Sequence, residues 1–554
     1  MGVANMNYYG KYTIKKYENP PRWESPDENK KNLLLGLPVY GVLTDGTING
    51  NHATEYYNSK EGLAGLTDGK KALSAVYTDP AYVHFTRGAG RTLAFKLGGL
   101  SAIYEVKISF LREDYVGIRL PRRCDVLVSE NGETWHRVLN AKKLTTNQDP
   151  VKYELSQVFE NPYKALYVVV RFEVPGHVWI DEIEAIGTEK IPENAVSGIG
   201  EDIEKEYAVA HVNKYPDYDD FLGVRNLLLS YNCVPPEKVG EKGLGLITEE
   251  QYLPHLVYMD GEGKAADTFF DAFLYLPYSV YTYSYLYKCA DGWKYYVDNL
   301  FTKDKNLDAL SKAAQKAGDL LGIADYKVKV FFSILSTKVH YGDFPEKFGD
   351  LDGDGVDEDM ESFEGRKKAL KWIIDTQIEK YNSGGYGNTI LGGFYWFEED
   401  IHYNDEHELD LIAFVRKYLR SLGLKFFWIP YFQAWGFQEW KENGFDLACM
   451  QPNYAFSKDI TVDRLYENAT LTKQLGMCVE LEIGGLKPEN IEKYKCYLDV
   501  GEETGYMNTV KMYYQGGVPG EFYHAFESDD PLVRSVYDDT YLFAKGKYVS
   551  RNKR

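Results

Sequence analysis

The second half of the chain alternates short β-rich runs with amphipathic helical stretches, and no other feature of the sequence constrains the fold as strongly. Parallel strands need crossover connections, which are usually helices, so this alternation predicts a parallel sheet. Eight β runs occur, at Asn226–Tyr231, Thr268–Leu276, Lys327–Leu335, Gly393–Glu399, Lys425–Tyr431, Leu447–Pro452, Met477–Glu482 and Thr509–Gln515. Eight strand–helix units predict a (β/α)8 TIM barrel over residues 207–554.

Helical stretches lie between these β runs. They cover Leu307–Leu321, Glu361–Tyr381, Glu406–Leu422, Val462–Gln474 and Glu489–Thr504. In the second stretch, Leu370, Ile373 and Ile374 recur at helical spacing and share one face. A doubly wound sheet is the alternative fold, but it needs no eighth unit and usually begins with a glycine-rich phosphate turn, which this sequence lacks.

Residues 1–195 show a different pattern, in which short β runs follow one another across turns without a convincing helix. The runs are Thr92–Phe95, Ala102–Phe110, Cys124–Ser129, Tyr167–Phe172 and Val178–Ile186. Apolar residues alternate from Tyr104 to Phe110, which is the period of a half-buried strand. This part is predicted to be an antiparallel β-sandwich, and the polar, acidic stretch 196–206 is the predicted linker.

Several pieces of this N-terminal part resemble, in the right order, discoidin-like (coagulation factor type C) modules. The pieces are Asn32–Gly36, Leu66–Gly69, Val126–Trp135, Val168–Phe172 and Trp179–Ile183. An earlier Leu43–Gly46 repeats the second piece, so the family position fits either copy. The resemblance implies a jelly roll whose end loops commonly bind glycans, often beside a calcium ion. Asp68 is then a cation ligand or the cap of its own Asp-Gly turn.

The composition bears on partners and location. A formal net charge of −20 argues against nucleic acid, whose binding relies on Lys and Arg. No stretch approaches the roughly 18 apolar residues of a membrane span, and Met1–Tyr12 shows no export signal. We therefore expect a protein that is either cytoplasmic as written or secreted with its signal removed. The 6 cysteines are scattered and form no Cys-x-x-Cys pair, and the 47 Tyr suit stacking on sugar rings.

Carboxylates end the fourth and seventh β runs of the predicted barrel. The fourth run ends in Glu398 and Glu399, and the seventh carries Glu480 and Glu482. Because a parallel barrel gathers the carboxyl ends of its strands at one face, these groups are expected to converge. Cleavage of a glycosidic bond needs one acid to protonate the leaving oxygen and one carboxylate to attack or to activate water. The sequence therefore predicts a glycoside hydrolase that acts on a bacterial or plant glycan.

Many retaining glycoside hydrolases with this barrel carry the acid/base Glu after strand four and the nucleophile Glu after strand seven, and this chain resembles them at both places. The resemblance implies Glu399 as acid/base, with Glu398 as the reserve, and Glu482 as nucleophile. Glu480 shares strand parity with Glu482 and is expected to tune its charge. The barrel also resembles a bacterial family of glycosidase-like barrels known only as a domain of unknown function, which implies carbohydrate hydrolysis without naming a substrate.

Aromatic and amide residues near the predicted strand ends are candidates for holding the sugar. The substrate-binding candidates are Trp396, Tyr431, Trp435, Asn453, Tyr454 and Tyr513. The wider set of strand-end residues adds Tyr231, Asn232, Tyr275, Tyr278, Lys338, His340, Gln451 and Gln515. Rings and amides beside paired carboxylates make up the inventory that sugar hydrolysis requires.

The acidic stretch Asp350–Glu361 matches the full calcium-loop pattern D-x-D-x-D-G-x5-E. The predicted ligands are Asp350, Asp352, Asp354, Val356, Asp357 and Glu361. Asp357 stands where the EF-hand has an apolar residue and no clear helix precedes the loop, so a lone Asp-x-Asp-Gly-Asp-Gly calcium loop fits equally well. The loop follows the third strand, so we expect a structural calcium ion that fixes one wall of the site.

Two alternatives compete with this interpretation. His402 and His407, with the acidic residues around them, offer a metal-dependent hydrolase or deacetylase site, but their five-residue gap does not place both imidazoles on one helical face. The second alternative is a catalytically silent barrel that binds glycans. The separation of the two carboxyl groups distinguishes these cases, since about 5–5.5 Å implies retention, roughly 6.5–9.5 Å inversion, and much more implies no shared bond.

Overall fold

The computed structural model describes residues 15–43, 56–57, 62–86, 91–113, 118–121, 123–142, 144, 146–174, 177–198, 212–232, 246–277, 288–337, 347–402, 405–432, 434, 436–458 and 460–553. The chain forms two compact units. One comprises Met1–Ala210 and Gln433–Gln438, and the other comprises His211–Phe432 and Glu439–Arg554. Antiparallel strands build the first unit, whereas strands and helices build the second.

All strand pairs of the first unit are antiparallel. The strands are β1 Lys31–Asn32, β2 Tyr40–Leu43, β3 Tyr56–Tyr57, β4 Val83–Thr86, β5 Arg91–Arg112, β6 Arg123–Ser129, β7 His136–Lys142, β8 Val151–Phe172 and β9 His177–Thr188. A short 3-10 helix, Gly62–Leu66, lies between β3 and β4.

The long strands β5 and β8 bend, and the bend folds the sheet into two layers. They pair along most of their length, with register shifts after Lys96 and Ile103. β9 pairs with the second half of β5, whereas β6 pairs with the second half of β8. Phe95 in the first half of β5 and Ile108 in the second half share one buried core. The predicted antiparallel β-sandwich is therefore confirmed.

Asp68 caps its own turn in this unit. Its Oδ1 accepts a hydrogen bond from the Lys70 amide at 2.8 Å, and its Oδ2 lies 2.9 Å from Lys70 Nζ. The neighbouring Glu182 accepts a hydrogen bond from the Gly69 amide, and burial raises the pKa of Glu182 to about 8. These contacts support the turn-capping role for Asp68.

Eight parallel strands close into a barrel in the second unit, as predicted. The strands of this unit are β10 Asn226–Tyr231, β11 Val257–Met259, β12 Ala265–Thr268, β13 Ala272–Leu276, β14 Val328–Ile334, β15 Thr389–Trp396, β16 Lys425–Trp428, β17 Leu447–Met450, β18 Cys478–Glu482 and β19 Lys511–Tyr514. β11 and β12 form a separate antiparallel hairpin, and the other strands close the barrel in chain order.

The predicted second β run, Thr268–Leu276, was wrong at its start. Thr268 ends the hairpin strand β12, and the barrel strand begins only at Ala272. Between them, the Asp271 carboxylate accepts hydrogen bonds from the backbone amides of Arg225 and Asn226. This contact ties the start of β13 to the start of β10 within the barrel, whereas β12 pairs only with β11 in the separate hairpin.

Helices follow every barrel strand. They are α1 Glu249–Leu256, α2 Ala290–Leu300, α3 Asn306–Leu321, α4 Phe363–Gly384, α5 Glu408–Ser421, α6 Trp440–Asn443, α7 Asp463–Leu475, α8 Pro488–Thr504, α9 Glu521–Phe526 and α10 Pro531–Ala544. The helical stretches predicted from the sequence correspond to α3, α4, α5, α7 and α8 and are confirmed, with ends shifted by a few residues at most.

The inner face of the barrel can be read from one buried cluster to which all eight strands contribute. The members in or next to the strands alternate in sequence, and they are Leu227, Leu229, Ala272, Leu274, Leu276, Phe331, Tyr395, Phe427, Ile429, Leu447, Cys449, Cys478, Val510 and Met512. Because strand side chains alternate between faces, this cluster fixes which residues of each strand point inward.

The described cysteines are free thiols, and they are Cys124, Cys289, Cys449, Cys478 and Cys496. Cys449 and Cys478 belong to the inner cluster of the barrel. In the described segments, no helix has the length and apolar character needed to cross a membrane.

Candidate functional site

Three of the predicted carboxyl groups converge at the carboxyl end of the barrel. Glu480 and Glu482 share the inward parity of Cys478 and are only 2% and 1% exposed. Glu399 follows Tyr395 and Phe397, which both contact the inner cluster, and it repels Glu480 and Glu482 electrostatically. The sequence placed these groups at one face, and the structure brings them together.

Glu398 points elsewhere. Its side chain is partly buried, with Oε1 3.6 Å from His402 Nε2. Its backbone carbonyl accepts a hydrogen bond of 2.8 Å from Trp428 Nε1. Glu398 has the opposite strand parity to Glu399, so its side chain lies beside the site rather than in it. Glu399 is therefore the better candidate for the acid/base.

Glu399 is accessible to solvent and yet has a raised pKa. Its Oε1 accepts a hydrogen bond of 2.8 Å from Gln451 Nε2. Burial among the surrounding protein raises the pKa of Glu399 to about 7, with smaller contributions from Glu398 and Asp400. Solvent reaches the Glu399 side chain, while the surrounding protein atoms favour its neutral form. A carboxyl with this pKa is suited to donate a proton near neutral pH.

Glu482 lies in a cradle of hydrogen-bond donors. Tyr497 Oη, from α8, donates to Glu482 Oε2 in a short contact, and the same oxygen of Tyr497 accepts from the Ala455 amide. The backbone amides of Asn453 and Tyr454 also hydrogen-bond the carboxylate. Burial nonetheless outweighs these donors and raises the pKa of Glu482 to about 8.

Glu480 lies deeper on the same strand. Burial, followed by repulsion from Glu482 and Glu399, raises its pKa well above the ordinary value. Within the described part of the chain, its Oε1 has no hydrogen-bond partner. Burial and repulsion therefore both favour the neutral form of Glu480.

One loop after β17 contacts both outer carboxyl groups. Gln451 reaches Glu399 with its side chain, and the amides of Asn453 and Tyr454 reach Glu482. Asn453 adopts a left-handed backbone with φ of 54°, which is unusual for a residue other than glycine. This strained turn aims two successive amides at one carboxylate.

Three of the predicted sugar-binding residues lie where the prediction placed them. Tyr431, Asn453 and Tyr454 lie at the mouth, where Tyr431 forms a bridge with Gln451 and the Tyr454 ring packs 5.8 Å from the Tyr497 ring. Trp435 lies outside the described residues, as do Tyr278, Lys338 and His340 from the wider set.

The prediction for Trp396 and Tyr513 was wrong, because both have outward parity and are buried behind the barrel wall. Trp396 packs against the Phe426 ring at 6.1 Å, and Tyr513 Oη donates to Asn226 Oδ1 at 3.0 Å. Tyr514, the next residue after Tyr513, has the inward parity instead. The alternation of Val510 and Met512 in the sequence would have identified it.

Two further residues of the site escaped the sequence analysis. Phe456, 55% exposed, lies beside the Tyr514 ring at the mouth. Tyr497 reaches Glu482 from α8, fifteen positions along the chain. No sequence pattern indicates a contact between a helix hydroxyl and a strand carboxylate.

Several carboxylates of the acidic loop that resembles a calcium site form ion pairs with one lysine. Lys368 Nζ, from α4, lies 3.0 Å from Asp352 Oδ2, 2.7 Å from Asp354 Oδ2 and 3.1 Å from Glu358 Oε1. The Asp350 carboxylate accepts hydrogen bonds from the amides of Gly353 and Gly355. Carboxylate oxygens of Asp350, Asp352 and Glu358 lie within 4.8 Å of one another and form a group able to hold a cation.

This group differs from the predicted ligand set. Glu358, which the pattern did not include, is buried, whereas the predicted Glu361 is exposed just before α4. Asp357 Oδ2 lies 3.4 Å from Lys347 Nζ, and Val356 is 63% exposed. The helix begins at Phe363, with Ser362 as its N-cap, so Glu361 precedes the first turn of α4.

The two histidines considered for a metal site lie against different glutamates. His402 Nε2 is 3.6 Å from Glu398, and His407 Nε2 is 3.6 Å from the exposed Glu406. Nearby, the buried Arg366 donates to both Asp405 oxygens, at 2.9 and 2.7 Å, and to Glu408. A buried ion-pair network thus occupies this segment.

Comparison with solved structures finds carbohydrate-binding modules. The lectin domain of lectinolysin complexed with Lewis b antigen is 18% identical, with a TM-score of 0.21, covering 28% of this chain and 95% of that chain. A fucolectin from striped bass (Morone saxatilis) serum is 14% identical, with a TM-score of 0.22, covering 29% and 49%. The family 32 module of Clostridium perfringens NanJ in complex with galactose is 9% identical, with a TM-score of 0.20, covering 28% and 99%.

No curated protein matches the chain. The sequence profile of the family described as Domain of unknown function (DUF4855) matches residues 237–542, which is more than half of the chain. The chain therefore belongs to the DUF4855 family.

Proposed function

We propose that the second unit is a (β/α)8 TIM barrel and that it is a glycoside hydrolase, with Glu399 as acid/base and Glu482 as nucleophile. The observation that carries this proposal is the pair of carboxyl groups at the barrel mouth, one accessible and one cradled, held by a single loop. Two carboxyl groups in different surroundings at one site are what hydrolysis of a glycosidic bond requires.

Glu399 and Glu482 differ in the hydrogen bonds that their carboxyl groups accept. Burial raises both pKa values, to about 7 for Glu399 and about 8 for Glu482, and repulsion from Glu399 adds to the raised pKa of Glu482. Glu482 receives several donors, whereas Gln451 is the donor seen at Glu399. The proposed roles require Glu482 to be ionised while Glu399 is protonated. Because the pKa of Glu399 is the lower one, this is the less populated of the two singly ionised forms.

The proposed reaction proceeds in two steps. Glu399 gives its proton to the glycosidic oxygen while a Glu482 oxygen bonds to the anomeric carbon, and the bond to the leaving group breaks. Ionised Glu399 then takes a proton from water, whose oxygen attacks the anomeric carbon and releases Glu482. The anomeric configuration is retained overall.

Hydrolysis of a panel of 4-nitrophenyl glycosides and of bacterial and plant polysaccharides tests the proposal, with the product anomer read by NMR. Glu399→Gln and Glu482→Gln should each lose the activity of the wild type. Glu398→Gln, a change of the same chemistry at the adjacent outward position, is the matched control and should retain most of it. Binding of a glycan without hydrolysis by the wild type would favour the catalytically silent alternative.

We also propose a structural cation, calcium, at the loop Asp350–Glu358. Calcium prefers several oxygen ligands, and Asp350, Asp352 and Glu358 offer carboxylate oxygens close to one another. Lys368 already neutralises part of this charge. Binding would require its ammonium group to leave Asp352 and Glu358, so the cation and Lys368 are expected to compete.

A further inference from the structure

Aromatic rings form part of the barrel mouth beside Glu482. The rings of Phe456 and Tyr514 lie 5.5 Å apart with an interplanar angle of 89°, and those of Tyr514 and Tyr231 lie 6.3 Å apart at 87°. Phe456 is 55% exposed, and the other two are partly buried. The three side chains come from the loop after β17 and from the ends of β19 and β10, so they make a continuous apolar rim.

This rim lies across the barrel from Glu399. Glu482 and Tyr514 are register partners on adjacent strands, both with inward parity, and the Ile483 amide donates to the Tyr514 carbonyl at 3.1 Å. In the closed order of strands, β19 is four strands from β15 in either direction. Glu482 therefore lies next to the rim, and Glu399 lies on the far side of the mouth.

We propose that Phe456 and Tyr514 bind a second sugar ring on the non-reducing side of the scissile bond, so that the substrate is an oligosaccharide or polysaccharide rather than a simple monosaccharide glycoside. The inference rests on the proposed function for its orientation. The leaving group must lie over the acid Glu399, and the sugar attacked by Glu482 occupies the centre. The next sugar toward the non-reducing end then reaches the aromatic rim.

The chemistry of the rim suits a sugar ring. The face of an aromatic ring offers apolar, polarisable surface that packs on the C–H face of a pyranose, while the sugar hydroxyl groups remain in water. The exposed Phe456 carries no hydroxyl or charge, so it recognises shape and apolar surface. The rim is therefore expected to add affinity for each ligand long enough to reach it.

The test uses 4-nitrophenyl glycosides with one, two or three sugar units, in the glucose, galactose, mannose, xylose and N-acetylglucosamine series. We expect Phe456→Ala to lower kcat/KM for the trisaccharide glycoside by roughly tenfold and to leave the monosaccharide glycoside unchanged. Phe456→Tyr keeps the ring and should behave as wild type. Leu422→Ala removes a similarly exposed apolar side chain at the opposite end of the barrel and controls for general effects.

Binding of the free trisaccharides, measured by calorimetry on the Glu399→Gln and Glu399→Gln/Phe456→Ala proteins, separates the two proposals. If the wild type hydrolyses glycosides and Phe456→Ala changes kcat/KM equally for short and long ones, the second-sugar subsite is overturned. The proposed hydrolase activity then still stands. Binding that depends on Phe456, with no hydrolysis by the wild type, would overturn the hydrolase and support the subsite. Neither hydrolysis nor binding in any series would overturn both.

Discussion

Gln451 Nε2 lies 2.8 Å from Glu399 Oε1 and donates a hydrogen bond to it. The hydrogen bond favours the ionised carboxylate, so it lowers the pKa of Glu399 and opposes the larger effect of burial. This contact sets how readily the proposed acid gives up its proton. It also joins Glu399 to the loop that holds the proposed nucleophile.

Removal of this donor should move the alkaline limb of activity. In Gln451→Ala the pKa of Glu399 rises further, so the acid stays protonated to a higher pH. We expect the alkaline limb of kcat/KM against pH to shift upward by about one unit, with a lower maximum. A pH profile with an unmoved alkaline limb would show that Gln451 does not act through Glu399.

We predict that Tyr497 positions the Glu482 carboxylate and favours its ionised form. Tyr497→Phe removes its hydroxyl donor, so the pKa of Glu482 rises and the acidic limb of the pH profile should move upward. We expect kcat to fall by roughly 100-fold with a smaller change in KM.

Tyr494→Phe is the matched control for this change. Tyr494 is also buried on α8, and its hydroxyl contacts Thr540 at 2.8 Å rather than Glu482. The two variants should have similar melting temperatures, while only Tyr497→Phe loses activity. Equal kinetic losses in both would assign Tyr497 a purely structural role.

Glu480→Gln is expected to stabilise the protein at alkaline pH. The pKa of Glu480 is raised on folding, so its stabilising contribution is complete below the ordinary pKa and is lost as pH rises through the folded pKa. The neutral amide avoids this loss. At pH 8 we expect a melting temperature about 1–3 °C above the wild type, with a smaller gain at pH 5.

Scanning calorimetry at both pH values measures the effect, with Glu398→Gln as the control. Glu398 is a neighbouring carboxyl near the chain surface, and its substitution should give no such pH-dependent gain. A gain that is the same at pH 5 and pH 8 would argue against ionisation of Glu480 as its cause.

Calcium and Lys368 should compete for the acidic loop. Calcium should raise the melting temperature over that in chelator, because a ligand bound only to the folded state stabilises it. Lys368→Met removes the competing ammonium group and should bind calcium more tightly, whereas Asp352→Asn should bind it more weakly.

Glu364→Gln serves as the control for the loop, because Glu364 is exposed on α4 and pairs with Lys367. Its calcium response should equal that of the wild type. A melting temperature independent of calcium in both the wild type and Lys368→Met would contradict the cation proposal.

Much of this arrangement follows from local patterns. The alternation of β runs and helices predicted the parallel barrel because each unit is recognisable on its own. The sequence also predicted that Glu399 and Glu482 lie at one end of the barrel. Both residues follow strands, and the carboxyl ends of parallel barrel strands meet at one face. The choice between Tyr513 and Tyr514 failed by one residue, which is enough to reverse the face of a strand side chain.

The remaining features depend on contacts that no local pattern encodes. In the acidic loop, Glu358 rather than Glu361 lies close to Asp350 and Asp352, and the helix begins two residues later than the calcium pattern predicts. Lys368 contacts that loop from the second turn of α4, and Tyr497 contacts Glu482 from α8. These partners are selected by the packing of whole elements.

The left-handed turn at Asn453 has a consequence for how this barrel can vary. Four consecutive residues, Gln451–Tyr454, supply hydrogen-bond donors to both proposed reacting groups, so the covalent chain fixes the spacing of these donors. Insertions within this turn alter their spacing directly, so related sequences should conserve its length more strictly than that of any outer connection.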